Sequence, residues 1–96
     1  MGELSFMVPL TKGQVEELQR DVAGSKFQVI SGDTKLIWDA DNKDEVEAAA
    51  ETFRRLVEKK RYAAFAVDKK GEQGKKITAF DADLEKIILV PPLAGG

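Results

Sequence analysis

The chain has 96 residues, 43% hydrophobic and 33% charged, and carries a net charge of −2. That length and mix describe one soluble globular domain with a modest core, and no apolar run approaches the roughly 20 residues of a membrane span. The near-neutral charge offers no broad basic surface to nucleic acid or to an anionic membrane, and with neither Cys nor His the chain has no disulfide, thiolate nucleophile, Cys-based metal site or imidazole base. Catalysis would fall to carboxylates, Lys, Tyr or hydroxyls, so the expectation is a protein that is not itself an enzyme. Met1-Gly2-Glu3 lacks the basic and apolar regions of a signal peptide, so a cytoplasmic location is expected.

Leu4 to Leu10 is a short apolar run broken by Pro9, read as an edge strand or an extended arm. Thr11 and Gln14 have the spacing of a capping box, and Val15, Leu18 and Val22 follow at helical intervals. This predicts a short helix over 12–23, stopped near Gly24, whose narrow stripe suits a peripheral position. Residues 1–24 are accordingly read as an N-terminal extension.

Residues 25–90 form the expected domain. Lys26–Ser31 and Thr34–Asp39 are rich in strand formers, with Gly32-Asp33 between them as a two-residue turn, which predicts an antiparallel hairpin. The acidic run Asp39–Glu45 invites comparison with a calcium loop. It lacks the Gly at the sixth position and the Glu at the twelfth, where Ala50 stands. A helix start is the better reading, with Asn42 or Asp41 as cap and Asp44 and Glu45 against the positive end of the dipole. Val46, Ala49, Ala50, Phe53, Leu56 and Val57 then mark the apolar stripe of a helix over 43–60, with Glu51 and Arg55 as an i, i+4 pair and Lys59, Lys60 and Arg61 closing the last turn. The basic cluster at that end could be a docking patch, although complementarity to the helix dipole already accounts for it.

Tyr62–Asp68 reads as a strand with Ala63, Phe65 and Val67 on one face. The small Ala64 and Ala66 lie opposite, where they would admit a close helix or leave that face thinly covered. Lys69–Lys76 is a polar hairpin loop, its glycines fitting neither a P-loop nor a dinucleotide fingerprint. Ile77–Phe80 is a short strand, Asp81-Ala82-Asp83 a turn with Leu84 tucked beneath it, and Ile87–Val90 a final strand. Four consecutive apolar residues there predict burial on both faces and a central place in the sheet. The expected core comprises Phe27, Val29, Trp38, Val46, Ala50, Phe53, Leu56, Val57, Phe65, Val67, Ile87 and Leu89.

Residues 91–96, Pro91-Pro92-Leu93-Ala94-Gly95-Gly96, form the candidate site. The prolines lack N–H donors and hold φ near −65°, so strand pairing stops at Val90 and the backbone runs on extended. Six such residues reach about 20 Å. Gly95 and Gly96 have no side chains, so the end can enter a narrow slot and present the Gly96 carboxylate to another protein's active site. The competing reading is a Gly-rich terminus that frays.

The order hairpin, long helix, three further strands with the last one central predicts an α+β fold of the β-grasp type. Together with Pro91-Pro92-Leu93-Ala94-Gly95-Gly96 at its end, the chain resembles the sulfur carriers of the ubiquitin-like superfamily, which include the small subunit of molybdopterin synthase and commonly finish in Pro-Pro-x-x-Gly-Gly. The tail match covers about eight residues from Leu89, and the element order extends it over 26–96; residues 1–24 stand outside the family pattern. The resemblance implies a carrier or modifier. An E1-like adenylating enzyme would activate Gly96 with ATP, the chain holding no cofactor of its own. A sulfur-accepting or target protein would follow, and Pro91, Pro92, Leu93 and Ala94 would serve in tail recognition. The alternative is a β-grasp interaction module that is never conjugated.

Overall fold

The computed structural model describes residues 2–30, 33–67 and 73–92. Apolar Leu4 and Phe6 alternate with polar Glu3 and Ser5, the period of a strand with one buried face, and Gly2–Phe6 is β1. Helix α1 spans Lys12–Asp21 and opens with the capping box, Thr11 Oγ1 accepting from the Gln14 N–H while the Gln14 side chain accepts from the Thr11 N–H. Strands β2 (Phe27–Ile30) and β3 (Asp33–Trp38) pair antiparallel, Ile30 opposite Asp33. Asp33 is therefore the first residue of β3 rather than part of the turn. Ser31 and Gly32, which connect the strands, lie outside the described residues.

Asn42 caps helix α2 (Lys43–Arg54), its side-chain oxygen accepting from the N–H groups of Asp44 and Glu45. The neighbouring acids are taken up in the same cap. Asp39 accepts from the Asp41 N–H, and Glu45 accepts from the Asp39 N–H, the Asn42 amide and the Lys26 ammonium. The last turn, Arg55–Lys59, widens to i→i+5 bonding, with the Lys60 N–H donating to Arg55 O. Glu51 reaches Arg55 at 3.1 Å, as its spacing requires.

Strands β4 (Ala63–Val67), β5 (Gln73–Ile77) and β6 (Lys86–Val90) complete a six-stranded mixed sheet in the order β2-β3-β1-β6-β4-β5. Strand β1 runs antiparallel to β3 and parallel to β6, while β4 is antiparallel to both β5 and β6. The expectation of an edge strand or arm at residues 4–10 is thus corrected. Strand β1 lies between the hairpin and the last strand, and Leu4 is fully buried. Pro9 sits beyond the strand and interrupts no ladder bond. Helix α1 likewise shares the core, through buried Leu18, with Val22 buried just past its end. The sheet therefore runs through both the presumed extension and the presumed domain. Up to β4 the wiring is β-α-β-β-α-β, a split β-α-β arrangement into which β6 is inserted between β1 and β4.

Both helices contribute to one cluster with one face of the sheet. Leu18, Ala49, Phe53 and Leu56 pack with Leu4, Phe6, Leu36, Trp38, Ala64, Ile87 and Leu89. The Trp38 indole N–H donates to Ala82 O at 3.1 Å and its ring meets Phe80 edge-on at 4.9 Å, which pins the Asp81–Leu84 turn to the core. Gly2 is required beside it, because a side chain there would overlap the indole.

Three further expectations are corrected. Strand β5 starts at Gln73, inside the stretch read as loop, and Thr78–Phe80 is not strand. Strand β5 bulges where Gly74 and Lys75 oppose Ala66 alone, and the Ala66 carbonyl lies against Gly74, where only a residue without Cβ fits. Residues 68–72 lie outside the described residues. Phe65 and Val67 are not core. Ala64 faces the helices and is buried, while Ala63, Phe65 and Val67 are half-buried on the far face. Strand β6 is central as expected but buried on one face only, with Ile87 and Leu89 inside and Ile88 and Val90 half-exposed.

Candidate functional site

Strand β6 is paired to its end: Val90 opposes Ala63 of β4, and the Met7 N–H donates to Leu89 O at 2.9 Å on the other side. Pro91 is half-buried and Pro92 exposed, both outside the strand, as residues without a ladder donor must be. Of the candidate site residues, Leu93, Ala94, Gly95 and Gly96 lie outside the described residues. What the structure describes is the root of the segment, the end of β6 with Pro91 and Pro92.

Two features of that root were missed in the sequence. Met7 and Val8 leave β1 beside the end of β6 and are 69% and 55% exposed; in the sequence they merge with the apolar run Leu4–Leu10 that Pro9 breaks. On the opposite side, Arg61 joins the widened turn of α2 to β4 with φ 62°, a left-handed conformation unusual for a residue with a side chain. Tyr62 follows, its ring edge-on to Phe6 at 6.4 Å, and burial pushes its phenol pKa up. Lys59, Lys60 and Arg61 are exposed here, with Lys60 3.7 Å from Glu17. Because Arg61 pays steric strain that glycine would not, Arg61→Gly is expected to raise stability by about 0.5–1 kcal/mol. Urea unfolding checks this, and a lowered midpoint would show that the Arg61 side chain makes contacts that outweigh the strain.

The sheet face away from the helices adjoins the same root. The registers place Ala63, Phe65 and Val67 beside Val90, Ile88 and Lys86, with Lys76 opposite Phe65. Further across the sheet Lys35 pairs with Glu3 at 3.4 Å, and Ser5 Oγ donates to the same carboxylate. The described side chains here form a half-exposed apolar strip with Lys35, Lys76, Lys86 and the Glu3 carboxylate along it. The alternation of β4 was legible in the sequence; which of its two faces would meet the helices was not.

Among the described residues no group of three Asp or Glu side chains is placed to hold a metal ion. Chemically, the arrangement offers a rigid, twice-paired strand end, a proline-led exit and a half-exposed apolar strip beside it. Compared with protein-family models, curated proteins and solved structures, the chain matches none.

Proposed function

We propose that the chain is a ubiquitin-like carrier or modifier whose C-terminal Gly96 carboxylate is activated by an E1-like adenylating enzyme for sulfur transfer or conjugation. In this reading the β2–β3 hairpin, α2 and β4–β6 supply the elements of a β-grasp, with β3 the inner hairpin strand and β1 lying between it and β6. The observation that carries it is the position of Pro91-Pro92 directly after a central strand that is paired to β1 through Leu89 and to β4 through Val90. A partner that grips the sheet thereby also fixes where the segment starts. The half-exposed strip around Phe65, Ile88 and Val90 gives such a partner apolar area to bury. In the chemistry proposed, a Gly96 carboxylate oxygen bonds to the α-phosphorus of ATP and pyrophosphate leaves. A sulfur donor or an amine then takes the acyl group and AMP departs.

The test is mass spectrometry after incubation with ATP and the adenylating enzyme from the same source. The intact chain is expected to give an adenylate, a thiocarboxylate or an isopeptide-linked adduct. Removal of Gly95-Gly96 is expected to abolish all three with the thermal midpoint nearly unchanged, because two residues without side chains contribute no buried side-chain area. One observation favours the second reading, an interaction module that is never conjugated. Strand β1 separates the hairpin from β6, and the open apolar strip needs no activated terminus to bind a partner. If the intact chain gives no product and the tailless chain keeps its cellular role, that second reading replaces the first.

A further inference from the structure

We propose that the β2 edge of the sheet pairs with the β2 edge of a second copy of this chain, antiparallel, about a two-fold axis through Gln28. The proposal is independent of the carrier reading. Among the described residues the sheet has two edges, β2 and β5, and they differ in kind. Strand β5 carries exposed Lys75 and Lys76 and is itself bulged, Gly74 and Lys75 together standing opposite Ala66 of β4. Like charges and irregular pairing are how proteins keep an edge from acquiring a partner. Strand β2 reads Phe27-Gln28-Val29-Ile30, with no charge and no proline. The lysine just before it, Lys26, has its ammonium on Glu45 at 3.1 Å.

The ladder dictates which groups point outward. The Ile37 N–H donates to Lys26 O at 3.0 Å, so Lys26 and Ile37 form a hydrogen-bonded pair. Such pairs alternate along an antiparallel ladder. Gln28 with Lys35 and Ile30 with Asp33 are then bonded pairs too, while the N–H and C=O groups of Phe27 and Val29 face away from β3. Their spacing matches itself under a two-fold rotation. Phe27 of one copy and Val29 of the other exchange both bonds, the second such pair follows by symmetry, and the two Gln28 residues face each other on the axis. An isologous contact of this kind closes as a dimer and leaves no free edge at the junction. The same operation on β5 would set lysines against lysines.

The experiment is sedimentation velocity on the full chain from micromolar to millimolar concentration, with amide exchange by NMR over the same range. The wild type is expected to dimerise as concentration rises, with the Phe27 and Val29 amides gaining protection in step. Gln28 is exposed, so replacing it leaves the monomer folded. Gln28→Lys and Gln28→Glu each place like charges opposite one another and are expected to weaken the dimer about fivefold or more, while an equimolar mixture of the two restores it as a heterodimer. Val29→Pro removes an outward donor without breaking a bond to β3, and is expected to weaken the dimer at least about tenfold. A wild type monomeric at millimolar concentration overturns the proposal. So does dimerisation that Gln28→Lys leaves intact but Ile88→Lys abolishes, which would place the contact on the open sheet face instead.

Discussion

A chain beginning at Gly24 is expected not to fold. It lacks β1, which sits in the middle of the sheet and is bonded to β3 on one side and β6 on the other. Without it the sheet divides into a hairpin and a three-stranded piece, each with a newly bare edge. The core loses Leu4, Phe6, Leu10, Leu18 and Val22, all buried. Burying a large apolar side chain contributes about 1.5–3 kcal/mol, and each ladder bond about 1 kcal/mol. The sum matches or exceeds the 5–15 kcal/mol that typically holds a domain of this size together. Circular dichroism on heating should show no cooperative transition. A sigmoidal transition near the wild-type midpoint would instead show that α2 and the remaining strands are self-sufficient.

Phe53→Ala is expected to cost about 3–5 kcal/mol, as large-to-small changes at buried aromatics do. Phe53 is 2% exposed and its ring lies 5.9 Å from that of Phe80, which in turn meets Trp38. The truncation therefore opens a cavity beneath the turn that Trp38 holds. Phe65→Ala is the informative comparison. Phe65 is half-buried on the open face, so the same chemical change there should cost about 1 kcal/mol or less, since little cavity is left behind. Urea titrations of both variants decide the point. Equal losses would mean that something covers the open face as fully as the helices cover the other.

The contrast between these phenylalanines separates what was legible in the sequence from what was not. Local devices were legible. The Thr11–Gln14 capping box, the Asn42 cap, the Glu51–Arg55 pair, the hairpin and the stop at Pro91-Pro92 each act within a few residues, where backbone geometry leaves few choices. The end of β6 before Pro91-Pro92 is legible for the same reason, as prolines carry their conformational meaning with them. Placement was not legible. Nothing within Gly2–Phe6 says that its neighbours are β3 and β6, because that pairing joins it to distant parts of the chain. Gly2 and Leu4 disclose a central strand only once the Trp38 indole and the Ile87 side of β6 are set against them. In β4 the two-residue period makes Phe65 and Val67 share a face and sends Ala64 to the other. The side that meets the helices is chosen by room: Ala64 lets the helical layer come close, so the larger residues are turned outward, beside the strand end from which Pro91 departs.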